Sequence, residues 1–334
     1  MNKELLLKKY NLQEHPCITL LEYGDEKDWL ELRKKGVGGS DVGAIMGLNE
    51  YRSILQVYKD KVGESKEVVD NVYVRKGKDL EELIRNYYVV PELAKQGYKV
   101  LPVKHTLINE AYPWLRANID GIAIPEGGNY EKNIVIEIKW VSEWGAQKWG
   151  GDLYKGIPPS YYAQVQEYLA ITGARMAIVC ALFDSNWEMK YYKISRDEVF
   201  ITSLLKQTKQ FMDLNVGMRI PPKVDAELDK IYIAEEVSKP MEKEPVPDRS
   251  MDDDIFKYKS VNLQIKALEK DAEALKNLIT NKYLEGHRPT LSTNKVSISS
   301  YTTRRFDSTA FKEDHPEVYA NYVKETTAVK TTIK

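Results

Sequence analysis

The sequence predicts an α/β fold: a central mixed sheet flanked by helices, with a separate helix toward the C-terminus. Three observations lead there. Apolar runs of strand length at 98–103, 107–109, 114–124, 133–140, 176–183 and 187–194 alternate with helix-length stripes. The turn Gly127-Gly128-Asn129 joins two of those runs as a hairpin. At Pro221-Pro222 the composition shifts, and beyond a charged stretch the apolar residues fall into a heptad spacing. Domains are therefore expected at 1–220, with a linker at 221–254 and a C-terminal helix and tail at 255–334.

In chain order, 29–35 reads as a short helix stopped at Gly36. The tight loop Gly38-Gly39-Ser40-Asp41 follows, with Ser40 expected to cap a helix over 42–47. Ile54, Leu55, Val57 and Tyr58 suggest another short helix at 53–61. Over 73–90, Leu80, Leu83, Ile84 and Tyr87 form one helical stripe with Glu81 at its edge. The helix at 158–172 carries Tyr161, Val165, Tyr168 and Leu169 on its apolar side and stops at Gly173. Ser195 is expected to cap a long helix reaching about residue 215.

From 239 to 254 the chain is rich in Pro, Glu, Lys and Asp, which reads as a solvated linker. Val261, Ile265, Leu268, Ala272, Leu275 and Ile279 then make an a/d seam of nearly three heptads. A coiled coil and a helix packed on the main domain both fit that seam. An alternating segment at 296–301 and the pair Arg304-Arg305 complete the tail.

Composition narrows the chemistry. A formal net charge of −1 over 334 residues carries no bulk signal for nucleic acid, so any such role rests on local basic patches. Two cysteines, Cys17 and Cys180, stand far apart, which excludes a cysteine-ligated metal centre and points to a reducing compartment. Four histidines, none at ligand spacing, argue against a zinc hydrolase. Without an apolar leader or a membrane-length run, a soluble cytoplasmic protein is expected.

The chemistry concentrates in Ile119-Asp120-Gly121 and Ile136-Glu137-Ile138-Lys139. Strand side chains alternate, so Glu137 and Lys139 share one face while Ile136 and Ile138 enter a core on the other. Taken singly, Asp120 is a turn aspartate and Glu137–Lys139 a cross-face ion pair. Taken together, one hairpin apart at the edge of a sheet, the two carboxylates repel unless a cation joins them, and a hard divalent ion prefers such oxygen ligands. Metal-assisted phosphodiester cleavage is the chemistry they suit. Glu81 is the natural third acid, with Glu82 its rival. Arg33 with Gly38-Gly39-Ser40 offers a guanidinium and a hydroxyl at a helix start, an anion site. Gln164 and Tyr161 lie one turn apart on the 158–172 helix. Trp140, Trp144, Lys148 and Trp149 form an aromatic-basic loop suited to stacking on unpaired bases, or to anchoring in the core.

These residues, in order, resemble the phage-type alkaline exonucleases of the lambda exonuclease and YqaJ-like viral recombinase family, within the PD-(D/E)XK nuclease superfamily. The resemblance covers about 29–215 and rests on six elements: Trp29-x-x-x-Arg33, Gly36-Val37-Gly38-Gly39-Ser40-Asp41, Gly77-x-x-x-Glu81, Ile119-Asp120-Gly121, Glu137-Ile138-Lys139 and Tyr162-Ala163-Gln164-Val165-Gln166. Ile119 stands where the superfamily usually has proline. The resemblance implies a restriction-endonuclease-like core. It implies that Asp120, Glu137 and the Ile138 carbonyl hold Mg²⁺ (Mn²⁺ substituting), that Glu81 rather than Glu82 serves a second metal, and that Lys139 positions or activates water. Arg33 and Ser40 would take a terminal 5′ phosphate with Asn118 beside them, and Gln164 would orient water or phosphate.

The implied activity is 5′-to-3′ digestion of one strand of linear duplex DNA, leaving a 3′ overhang for a phage-type single-strand annealing protein. A toroidal homotrimer and a host-cytoplasmic location are implied in the same way. The alternative on the same fold is an endonuclease or structure-specific DNA nuclease, and a non-catalytic adaptor is the rival of another class.

Overall fold

The structure is a computed structural model that describes residues 3–12, 17–22, 24, 26–65, 72–238, 249–286 and 302–323. Its contacts divide the chain into two units, Met1–Ile233 and Ala234–Lys334.

The first unit opens with helix α1 (Lys3–Lys9), strand β1 (Ile18–Leu21), helix α2 (Glu26–Lys34), the two-residue strand β2 (Val37–Gly38) and helices α3 (Gly39–Ile45) and α4 (Ile54–Val62). Ser53 caps α4 by accepting from the Gln56 N–H, and Gly63 ends it at φ 79°, a left-handed conformation that suits glycine. Next come helices α5 (Val72–Ile84) and α6 (Val90–Ala94), joined through a π-turn at Arg85–Val89. That extra residue per turn rotates the buried stripe away from the one expected. Ile84, Val89 and Leu93 are buried, whereas Leu83 and Tyr87 face solvent.

The sheet follows: β3 (Tyr98–Leu101), β4 (Thr106–Asn109), β5 (Leu115–Arg116), β6 (Gly121–Pro125) and β7 (Ile134–Val141), then helices α7 (Glu143–Ala146) and α8 (Pro159–Thr172), then β8 (Met176–Phe183) and β9 (Glu188–Ser195). The expected strand at 114–124 is two strands in different sheets. β5 pairs with β2 in parallel, while β6 joins the main sheet. That main sheet has the order β3-β6-β7-β8-β9, with β7–β8 its parallel pair. A parallel pair requires a crossover, which α8 supplies.

Side-chain alternation splits the core in two. Val135, Ala177, Val179 and Ile194 pack on the face shared with α8. Ile134, Ile136, Ile138, Ile178 and Cys180 pack on the other, with Ile84, Val89 and Leu93. Helix α8 is buried from Tyr162 to Thr172, all round rather than on one stripe, as befits a central helix. Helix α3 lies close against it. A Cβ on Gly39 would come within 2.8 Å of Gln164 Cγ, and one on Gly43 within 2.9 Å of Ser160 Cβ.

Two caps differ from expectation. Ser40 lies inside α3: the Asp41 carboxylate, three residues on, accepts from the Gly38 N–H (3.1 Å) and closes the helix start instead. Asp197, not Ser195, caps helix α9 (Glu198–Gln210) by accepting from the Phe200 N–H, because Ser195 still belongs to β9. The stretch expected as a linker begins with packed structure. Asp229 is buried and accepts from Ser53 Oγ (2.5 Å), and helix α10 spans Lys230–Val237. Residues 239–248 of that linker, and the alternating segment at 296–301, lie outside the described residues. In the second unit, the heptad run falls inside the 35-residue helix α11 (Asp252–Gly286), followed by α12 (Ser308–Asp314) and α13 (Pro316–Tyr322). Among the described residues no helix is long and apolar enough to cross a membrane.

Candidate active site

The expected acid pair is built on the middle strand of the sheet, not at its edge. β6 pairs with β7 only as far as Gly121↔Ile136, so Asp120 leaves the ladder level with Glu137. Beyond that point β7 has no strand on this flank. The Asp120 carboxylate fills the gap by accepting from the Ile138 N–H (2.7 Å), which satisfies a backbone donor that the ladder no longer reaches. Glu137 and Lys139 share the α8 face as strand alternation requires, in direct contact through Glu137 Oε1 and Lys139 Nζ. Gln164 on α8 donates to the same Glu137 oxygen (2.8 Å) and to the Tyr168 hydroxyl (2.8 Å). Tyr168 in turn donates to the Asn118 carbonyl (2.9 Å), so one network runs from the strand through the helix to the loop before β6.

These groups line one cleft of about 1050 Å³, together with Glu81 and Asn118. Glu82 is exposed elsewhere, which separates it from its neighbour. Glu81 is pinned by Arg85 (3.0 Å), whose guanidinium also donates to the Asp120 carbonyl (3.3 Å). The Glu81–Arg85 spacing of four is visible in the sequence, but the reach of Arg85 to the Asp120 carbonyl, 35 residues on, is not.

Burial pushes the Asp120 carboxyl well above its ordinary range, and the nearby Glu137 and Glu81 charges push it further. Burial also raises Glu137, with Lys139 opposing. For Lys139 burial alone would favour the neutral amine, but Glu137, Tyr161 and Asp120 outweigh it and hold the ammonium more firmly protonated than usual. In this environment Lys139 is held as an ammonium cation. The Glu137 Oε2 atom is buried with no hydrogen-bond partner. An orphaned carboxylate oxygen beside a second raised acid, in a cleft whose lining, among the described residues, holds no His or Cys, fits a hard divalent cation. The acids do not form a closed cage: among the described residues no three His, Cys, Asp or Glu side chains converge on one metal position.

Arg33 and Ser40 meet each other (2.8 Å) but do not line the cleft. They belong to a neighbouring cationic cluster centred on Asp41, which is fully buried. Asp41 accepts from Arg52 (2.6 Å) and Lys61 (2.6 Å), with Arg33 at 3.5 Å. Burial alone would raise the Asp41 pKa, but Lys61, Arg33 and Arg52 together hold it well below the usual carboxylate range. Arg52 connects the two regions, since it lines the cleft as well. Neither Arg52 nor Lys61 carries a sequence signal, because their roles arise from α4 packing on α3. Asn118 lies at the cleft, its side-chain oxygen taken by Thr106 (2.7 Å).

Fold and site together define a mixed α/β core in which an aspartate, an acid–x–lysine strand and a helical glutamine converge. Residues 28–175 match the model of the YqaJ-like viral recombinase domain. It is 27% identical to the uncharacterized protein YqaJ of Bacillus subtilis (strain 168), over 90% of this chain and 91% of that protein. Among solved structures it is similar to an alkaline exonuclease, LHK-Exo, from Laribacter hongkongensis: 20% identity, TM-score 0.44, over 64% of this chain and 98% of that one. A phage-related exonuclease from Haemophilus somnus 129PT is similar at 14% identity and TM-score 0.42, over 57% of this chain and all of that one.

Proposed function

We propose that this chain is a Mg²⁺-dependent deoxyribonuclease that digests linear double-stranded DNA from 5′ ends and leaves 3′ single-stranded overhangs. The observation that carries the reading is the cleft itself: a buried and a half-buried carboxylate, both of raised pKa, an orphaned Glu137 oxygen, a firmly protonated Lys139 and Gln164 on one network. Asp120, Glu137 and the Ile138 carbonyl would hold Mg²⁺, or Mn²⁺ in its place, and Glu81 would join them on release from Arg85. When bound, the ion supplies charge neutralisation at the phosphate and lowers the pKa of water. The chain's own residues do the positioning. Lys139 presents a permanent positive charge toward the scissile phosphate, and Gln164 keeps Glu137 oriented. The Arg33–Ser40 pair and Arg52 present donors for a terminal 5′ phosphate one step from the cleft. The match of residues 28–175 to the YqaJ-like viral recombinase domain supports handover of the exposed strand to a single-strand annealing protein, and a homotrimer is the assembly we propose by resemblance.

Purified protein with Mg²⁺ should degrade linear duplex and spare closed circles, and should prefer 5′-phosphorylated over 5′-hydroxyl ends. Equal cutting of circles would instead establish the endonuclease alternative, and no cutting with Mg²⁺ or Mn²⁺ would end the nuclease reading altogether.

A further inference from the structure

The three tryptophans of the 140–149 segment do different things. Trp149 is a packing anchor, with ring centroids at 5.2 Å from Tyr192 and 5.8 Å from both Tyr161 and Phe183. Trp140 is half-buried. Trp144 is 82% exposed, and it lines the same cleft as Asp120, Glu137 and Lys139. A second large aromatic, Tyr51, is 75% exposed and lines that cleft as well. Rings this size are normally at least partly buried, and two bare ones in one cleft call for an occupant.

Both rings are held out by construction. Trp144 sits in α7, capped by Ser142 Oγ accepting from the Gly145 N–H, with the Trp149 anchor closing the segment. The Tyr51 and Arg52 N–H groups both donate to Asn49 Oδ1 (2.8 and 3.1 Å), and Arg52 is tied to buried Asp41. Lys148 links the two segments: its ammonium lies 4.2 Å from the Tyr51 ring centroid, 2.6 Å from the Tyr51 hydroxyl and in contact with Glu50. Exposed aromatic faces, a cation beside them and continuity with the acid cluster match the way unpaired strands are held. Stacking accepts any base, because every base has a π-face.

We propose that Tyr51 and Trp144 form a stacking subsite for unpaired nucleobases flanking the phosphodiester bond that enters the acid cluster. This rests on the nuclease reading above and goes beyond it by naming what the outer part of the cleft holds. The subsite takes one or two bases of the strand being cut, with Lys148 leaving Glu50 for the strand's phosphate.

The test uses the full chain in EDTA and a single-stranded oligodeoxynucleotide carrying 2-aminopurine, whose emission reports stacking. Trp144→Ala and Tyr51→Ala should each weaken binding by about 5- to 100-fold, while Trp144→Phe and Tyr51→Phe, which keep a ring, should retain most of it. Replacing the stacked base by an abasic site should cost the wild type a similar factor and cost Trp144→Ala far less. Unchanged affinity in the alanine variants, or abasic and alanine losses that simply multiply, would overturn the subsite. So would a change confined to the mass in solution, which would make this face a contact between copies. Wild-type cleavage of linear duplex with Mg²⁺, run in parallel, separates the two readings. Cutting with a negative stacking result removes the subsite alone, whereas neither cutting nor binding removes both.

Discussion

Two buried carboxylate centres a short way apart behave in opposite ways. At Asp41, burial would raise the pKa, yet three cations reverse the effect and hold the carboxyl down. At Asp120 and Glu137 burial wins, because one ammonium is shared among neighbouring acids. Asp41 and Glu137 are buried alike, and Asp120 is half-buried. What differs is the balance of neighbouring charge, and that balance separates a structural pin from a site that takes a cation. A fully paired carboxylate gives its partners a fixed geometry. An under-compensated pair stores repulsion that a bound cation relieves.

The largest effect should come from breaking the second centre. Asp120→Asn should reduce DNA cleavage by at least about 10³-fold while leaving circular dichroism unchanged. The same variant should lose most of the rise in Tm that Mg²⁺ gives the wild type, a readout independent of turnover. If Mg²⁺ stabilises both proteins equally, Asp120 does not hold the ion.

Breaking the first centre should act on stability. Asp41→Asn leaves Arg52 and Lys61 without their buried counter-charge, and removing one partner of a buried pair costs about 3–5 kcal/mol, measurable by urea unfolding. The pH dependence has a definite sign. With its folded pKa below the ordinary aspartate value of 3.8, Asp41 contributes stability that is fully present above that value and lost as pH falls toward the folded pKa. Wild type should therefore show a steeper acid limb than Asp41→Asn. Parallel limbs would mean that Asp41 is not the pin.

A smaller loss is expected where the helices touch. Gly39→Ala forces a methyl against Gln164 and Tyr168, at about 1–3 kcal/mol for overpacking. Cleavage should fall with it, because the displaced amide is the one bonded to Glu137. Unaltered activity at lowered stability would show that Gln164 tolerates the shift.

The smallest effect concerns Glu167, also fully buried on α8, where burial and then the Asp41 charge push the carboxyl well above its ordinary range. A raised acid weakens the fold as pH climbs above the unfolded value of about 4.5, since the folded state holds a proton that the unfolded state has released. Glu167→Gln should remove that decline, and its advantage in Tm should widen from pH 5 to pH 8. An advantage that stays constant would place the proton elsewhere.

Part of the acid–lysine site is visible before any folding is known. Strand alternation alone puts Glu137 and Lys139 on one face and Ile136 and Ile138 on the other, because a period of two is a local property. The bounds of β8, and the end of α8 at Gly173, follow equally from local signals. Ser40 shows where such signals stop. Its type suits a cap, but Asp41 reaches the Gly38 N–H first, and Arg33 takes the hydroxyl. The π-turn at 85–89 likewise breaks the periodicity from which the buried stripe was read.

The sequence by itself determined the alternation of elements, the acid–x–lysine face and the candidate Asp120, since each rests on residue type and short spacing, whereas Glu81 over Glu82 and a role for Gln164 rested on the family resemblance. Tertiary structure alone decided that Asp120 caps the Ile138 N–H, that Arg52 and Lys61 close on Asp41, and that Arg85 reaches the Asp120 carbonyl. It also decided which of three neighbouring tryptophans stays bare. Those outcomes depend on which distant segments pack together, and the electrostatics of a buried charge is set by neighbours that sequence distance does not reveal.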